Sequence, residues 1–288
     1  MDIKDYLALA DGKSTISLSK IKTDDTNSFK SKDETLPRLE KNLLKLSELQ
    51  DKLYAESKYG IIILFQAIDT AGKDSAIKHV MSGLNPQGTI VASFKQPSSQ
   101  ELRHDYLWKA NIHLPERGQI GIFNRSYYEE LLVVRVHNLI QYQNLPQVLI
   151  SDDIWKERFR QVNDYEKYLH ENGFVVIKLF LHISKDEQKR RLLSRIEDKS
   201  KNWKFSEADL KEREYWDAYM NCYEKLLENT STSHNPWYII PADKKWFGRF
   251  LISEIIVKQL EKLNIAYPQL DEKQKQSLEA FKLKLLEE

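Results

Sequence analysis

One cysteine, Cys222, is all that the 288 residues contain. That excludes an internal disulfide and a cysteine-based zinc cluster, and it fits a reducing compartment. No apolar run approaches the ~18–20 residues needed to span a bilayer, and the opening MDIKDYLALADGKS lacks the basic and apolar regions of a signal peptide. Excess charge is lacking too: 44 Lys and Arg against 43 Asp and Glu leave +1, so no overall field draws the chain to nucleic acid or membrane. Any polyanion site must then be a local concentration of cations. The seven histidines show no metal-ligand spacing, and His79, His104 and His113 read as structural. A soluble cytoplasmic protein is expected, with 41% hydrophobic residues, enough for one substantial core.

Residues 11–36 are rich in Ser, Thr, Asp and Lys without apolar periodicity, so 1–36 reads as an irregular N-terminal arm. From residue 37 onward, Leu39, Leu43, Leu46, Leu49 and Leu53 recur at helical spacing and predict a long helix ending at a turn near 58–60. Apolar runs at 61–65, 89–94, 119–123, 174–183 and 237–240 then alternate with helical patterns around 73–84, 99–110, 126–140, 151–172 and 185–228. That alternation predicts an α/β fold, a five-stranded parallel sheet covered on both faces, within one domain at 37–288. The leucine stripe of 39–53 and the helix expected at 246–263 would serve either the core or a homo-oligomer interface. The C-terminal DEKQKQSLEAFKLKLLEE reads as a solvated helix.

In such sheets ligands sit beyond the carboxyl ends of the strands, and three segments there carry chemistry. The first, FQAIDTAGKDSA at 65–76, nearly spells the phosphate loop G-x-x-x-x-G-K-[ST]. It lacks the first glycine, having Ala67, and the terminal hydroxyl, having Asp74. Gly72 would allow close backbone approach and Lys73 would reach phosphoryl oxygens. Asp69 would repel phosphates unless a cation lay between, and magnesium, held by one or two carboxylates plus phosphates, is such a cation. A plain βα turn is the alternative, and Asp74 is either one of the phosphate-binding residues of the loop or a favourable charge at a helix start.

The second segment, IGIFNRSYYEE, places Asn124 where a Walker-type strand carries an acid and sets Arg125 beside it, a residue suited to bidentate phosphate contact. Glu129 and Glu130 follow, explained as well by a solvated face as by chemistry, and then Arg135, a further candidate phosphate contact. The third, SKDEQKRRLLSRIEDKSKNWKFSEADLKERE, has two helix starts, Ser184 with Glu187 and Ser206 with Asp209. Arg190, Arg191, Arg195 and Lys204 lie between them, with Trp203 and Phe205 near the tip. This suits either a solvated face or a cationic lid at about 185–215 that closes over phosphates. Lys95, in FKQPS after the second strand, would touch a phosphate or ribose, or belong to a plain loop.

With these residues assembled, the chain resembles the family-2 polyphosphate kinases over roughly 36–263. The resemblance rests on FQAIDTAGKDSAIKHVMSGLNPQG, ERGQIGIFNRSYYEELLVVRVH, NWKFSEADLKEREYWDAYM and PWYIIPADKKWFGRF. It implies a P-loop kinase-like three-layer αβα fold with a helical lid, and phosphoryl transfer between inorganic polyphosphate and AMP or ADP. Guanine nucleotides are an alternative acceptor, and magnesium, or manganese in its place, the cofactor. Asp69 would organise the metal, Lys73 and Arg125 would neutralise the transferred group, and Arg190, Arg191 and Arg195 would grip phosphates. Many relatives carry Asp where this chain has Asn124. The FNRSYYEE version resembles the subclass that accepts both mono- and diphosphates, and it implies that Glu129 serves nucleotide choice or the metal. Two other readings stay open: an ATP-dependent nucleoside monophosphate kinase, against which Asp74 argues because that loop ends in a hydroxyl, and a non-catalytic nucleotide-binding module.

Overall fold

The structure, a computed structural model, describes residues 1–8 and 15–288; positions 9–14 of the expected arm lie outside the described residues. Among the described residues six strands form one sheet: β1 (Leu7–Ala8), β2 (Gly60–Gln66), β3 (Thr89–Ser93), β4 (Ile120–Asn124), β5 (Phe174–His182) and β6 (Trp237–Pro241), ordered β1-β6-β5-β2-β4-β3. The five predicted strands are parallel to one another, and β1 adds an antiparallel edge, Leu7 opposite Tyr238. Two residues are too short to alternate, which is why periodicity could not reveal β1.

Helices cover both faces: α1 (Lys32–Glu56), α2 (Lys73–Val80), α3 (Trp108–Ile112), α4 (Val133–Val136), α5 (Ile154–Glu171), α6 (Lys185–Glu197), α7 (Glu207–Glu214), α8 (Trp216–Thr230), α9 (Lys245–Glu261) and α10 (Glu272–Leu286). The first helix begins five residues before Pro37, inside the segment expected to be irregular. The broad pattern at 126–140 resolves into α4 flanked by short 3-10 turns.

β2 is buried at every position, and Leu64 and Phe65 are wholly inaccessible. The stripe Leu46, Leu49 and Leu53 packs inward in α1, beside α9, whose Phe247, Phe250, Leu251 and Ile255 are fully buried. Asn42 of α1 donates to Glu254 (2.7 Å) and Ser253 (2.9 Å) of α9. Each large apolar side chain taken from water contributes roughly 1.5–3 kcal/mol, so these two faces are committed to the core. By contrast α10 is exposed throughout, including Leu278, Phe281 and Leu285.

The N-terminal segment is tied to the end of β5. His182 is buried, its Nε2 meets the Leu18 carbonyl at 3.1 Å, and its buried Nδ1 has no partner. Burial therefore lowers its pKa below the ordinary 6.5, with the Leu18 carbonyl and Asp243 pulling the other way. Protonation is easier in the unfolded chain, so this site's stability is present above pH 6.5 and is lost as pH falls through that value towards the folded pKa. His182→Gln keeps a donor for Leu18 but does not titrate. Its melting temperature should fall less than the parent's between pH about 7.5 and about 5, and an equal fall in both would remove His182 from the account.

Candidate active site

The register of two neighbouring strands builds the centre. Phe65 of β2 lies opposite Asn124 of β4, so the loops leaving both strands emerge side by side. After β2 the chain turns through Ala67, whose φ is negative, so no glycine is required there. The left-handed positions come later, at Thr70 (φ 65°) and Gly72 (φ 101°), and Gly72 caps α2. After β4, Arg125 also has a positive φ of 61°, and its N–H donates to the Phe65 carbonyl at 2.9 Å. A non-glycine residue held there stores on the order of 1 kcal/mol or more, and such strain concentrates at functional sites.

Three predicted residues meet at this point. Arg125 donates through Nη2 to the Asp69 carboxylate, and its Nη1 lies 3.7 Å from Glu129. Glu129 in turn accepts from the Gln66 amide. Burial works against the Arg125 cation, but Glu129 and Asp69 outweigh it and hold its pKa above the ordinary value. Burial raises the pKa of Glu129, opposed by Arg125. Lys73 is buried at the first turn of α2, where Nζ donates to the carbonyls of Ala67 (2.8 Å) and Ile68 (3.4 Å). Desolvation lowers its pKa, and the Arg125 charge adds to the effect.

Asp74, read from sequence as a phosphate-loop residue or a helix-start charge, accepts from the Asn124 side chain at 2.6 Å. The two departures from the usual motifs are thus one contact: an amide at the strand end faces a carboxylate at the helix start, where two carboxylates would repel.

Two cavities open from this centre. One, of about 730 Å³, is lined by Asp69, Gly72, Lys73, Asp74, Lys95, Asn124 and Arg125 on the sheet side and by Arg190, Arg191, Arg195, Lys201 and Lys204 on the other. Nine lysines and arginines face four carboxylates in it, the local cation concentration that a near-neutral chain needs for a polyanion. The second, of about 1110 Å³, mixes Phe94, Tyr106, Trp108, Val133, Tyr142 and Leu145 with polar groups that include Glu129 and the pair Glu130–Arg158 (3.1 Å). Phe94, Lys95, Gln96 and Arg125 belong to both walls.

Two predicted phosphate contacts are placed differently from the rest, Arg135 outside both cavities and Arg191 inside the cationic one but bonded to the protein. Arg135 lines neither cavity; its guanidinium lies 5.5 Å from the Trp155 ring centroid and 5.8 Å from that of Phe159, where α4 directs it towards aromatic packing. Arg191 does reach the cationic cavity, but its N–H groups bond Glu187 and the carbonyls of Thr70, Ala71, Ala242 and Asp243. These bonds tie it to the loop ahead of α2 and to the loop after β6 while its charge lies at the cavity wall. The carboxylate of Glu187 pairs with Arg190 and Arg191, while the Ser184 hydroxyl caps the Glu187 N–H at 3.0 Å.

Segment 185–215 folds as α6, a turn at Asn202–Lys204 and α7, joined by Arg195–Asp209 at 2.7 Å. Asp209 has a raised pKa from desolvation, with the Asp69 charge adding to it, so the two carboxylates share one field across the cavity. Trp203 at the tip is 77% exposed. Sequence reasoning missed Lys245, which lines the cationic cavity and whose pKa is lowered by burial and by Arg191. The signal was present: Lys245 follows β6, a fifth strand end on the ligand side. Among the described residues no cluster of three His, Cys, Asp or Glu could hold a metal, and no helix is long and apolar enough to cross a membrane.

Residues 29–268 match the family model described as Polyphosphate kinase 2 (PPK2). The chain is 46% identical over 260 residues to an ADP-polyphosphate phosphotransferase of Rhodopseudomonas palustris, covering 90% of each chain. It is 42% identical over 268 residues to an AMP/ADP-polyphosphate phosphotransferase of Meiothermus ruber, covering 93% of this chain and 96% of the relative. The crystal structure of polyphosphate kinase 2 from Arthrobacter aurescens superposes with a TM-score of 0.86 at 34% identity, over 97% of both chains. A phosphate loop beside a strained arginine, opening on a cation-lined cavity, thus coincides with a match over most of the length: the chain belongs to the polyphosphate kinase 2 family.

Proposed function

We propose that this protein moves the terminal phosphoryl group between inorganic polyphosphate and AMP or ADP, in either direction. The observation that carries the reading is the shared wall at Arg125: a cavity lined by nine cations meets a mixed apolar and polar cavity there. A long polyanion suits the first, and a nucleoside suits the second, where aromatic and aliphatic walls are combined with a few polar groups. The reaction needs mainly alignment and charge stabilisation. Lys73 and Arg125 supply fixed positive charge at the junction, and the 185–215 segment acts as a lid that brings Arg190, Arg195 and Lys204 onto the chain of phosphates and excludes water. Arg191 keeps the phosphate loop in shape from behind.

Asp69 and Glu129 fit a divalent cation, magnesium or manganese. Both are carboxylates facing Arg125 at the crevice, and the absence of a three-ligand cluster among the described residues suits an ion that takes its remaining oxygens from substrate phosphates. When bound, the ion screens the charge on the phosphoryl oxygens.

Homo-oligomerisation would have to use surfaces other than the faces of α1 and α9 that meet in the core; Leu278, Phe281 and Leu285 of α10 offer one.

The test is incubation of AMP or ADP with long-chain polyphosphate and magnesium in the absence of ATP. ATP should form, and no ATP at any chain length would overturn the reading. The same sample given ATP and AMP without polyphosphate tests the ATP-dependent alternative, which Asp74 disfavours because it turns to Asn124 where that class carries a metal-binding hydroxyl.

A further inference from the structure

Directly behind the Arg125 loop lies a buried charged network that the proposed chemistry does not use. Tyr127 and Tyr128 both donate to one oxygen of Glu166, at 2.8 and 2.7 Å. The other oxygen accepts from Lys178 at 2.7 Å, and Lys178 also bonds Tyr128 (3.0 Å) and the Thr230 carbonyl (2.6 Å). Lys178 and Glu166 are inaccessible to solvent.

Stability alone does not account for this arrangement. Burying an ion pair costs much of what its attraction returns, and apolar replacements of similar volume are often neutral or stabilising. The loop it anchors explains its position. Arg125 and Glu129 face the crevice, Tyr127 reaches the wall of the larger cavity but sends its hydroxyl inward to Glu166, and Tyr128 is wholly buried, so the two phenols pin the middle of a short segment whose ends carry the site. One of those ends, Arg125, sits in the left-handed region and has to be held there by its surroundings.

We propose that Tyr127, through Glu166, is a positioning residue for Arg125: its hydroxyl fixes the turn that aims the guanidinium at the junction of the two cavities. This rests on the phosphotransferase reading above and deepens it.

Tyr127→Phe removes one hydroxyl and keeps the ring, and it leaves Glu166 with Tyr128 and Lys178 as donors. Turnover in the polyphosphate-driven assay should fall about tenfold, the scale of a small misplacement at a reacting centre, while KM for nucleotide changes less than about twofold. The discriminating measurement is a double-mutant cycle with Arg125→Lys. If Tyr127 acts through Arg125, Tyr127→Phe should produce less than about a twofold further loss in that background. Equal losses in both backgrounds, unchanged turnover in the parent background, or recovery of full turnover at lower temperature would each overturn the inference. Tyr128→Phe is the second variant should the first fail to fold, with the same outcomes expected. An inactive parent chain would overturn the functional reading and this inference together, whereas an active parent with an unaffected Tyr127→Phe overturns this inference alone.

Discussion

Replacing Lys73 with alanine should lower turnover at least ~10²-fold, about 2.7 kcal/mol of transition-state stabilisation, the effect of removing one preorganised donor. The ammonium lies at the first turn of α2 inside the phosphate loop, with Arg125 and Asp69 as its charged neighbours. Its stability effect should be of a different size. Burial and Arg125 lower its pKa, so between the folded pKa and 10.5 the unfolded chain binds the proton more readily, and holding Lys73 charged at neutral pH works against folding. Removing it relieves that cost but loses charge-assisted bonds to two loop carbonyls, roughly 1.5–3 kcal/mol each, so the two effects oppose one another. Lys73→Ala and the volume-matched Lys73→Met should therefore melt within a few degrees of the parent while both lose turnover. Parent-level turnover in either purified variant would remove Lys73 from the mechanism.

Strands β2, β4, β5 and β6 were legible because each is a near-continuous apolar run, and burial on both faces demands that pattern, whereas β3 is a half-exposed edge strand with Val91 facing solvent. The centre was legible for a related reason: Asp69, Lys73 and Arg125 follow strand ends closely in sequence, and parallel neighbours bring such ends together. Where residues lie farther from a strand end, the same logic weakens. Arg135 falls ten residues beyond Arg125, past a turn and within a four-residue helix, and no periodicity in so short an element fixes which way a side chain points. Arg191 was read as a phosphate ligand because charge and helical face are visible in sequence; the carbonyls that absorb its donors come from two distant loops and are not. The Asp74–Asn124 contact was hidden for the same reason. Its two halves are separated by 50 positions, and each alone looks like a motif gone wrong.

Lys178→Ala should cost about 3–5 kcal/mol, the usual consequence of leaving a buried charge without its partner, against a total stability of only ~5–15 kcal/mol for a typical domain. The Lys178 ammonium has three N–H groups, and the three acceptors Glu166, Tyr128 and Thr230 take all of them. That satisfaction keeps a charge tolerable in a core where burial lowers the lysine's pKa and only Glu166 opposes it. With the lysine gone, one Glu166 oxygen loses its donor in a region closed to water, and the Thr230 carbonyl keeps only the Thr232 N–H at 3.1 Å. The size of the loss should therefore come from the stranded carboxylate more than from missing packing, and a second variant separates the two. Lys178→Met combined with Glu166→Gln fills much of the volume, leaves no uncompensated charge and keeps an amide oxygen for the two phenols. It should recover more than half of the loss, as read from denaturant midpoints at unchanged slope. If the double variant were no more stable than Lys178→Ala, the deficit would lie in the packing around Tyr128 and Trp237, the two rings over which the ammonium sits.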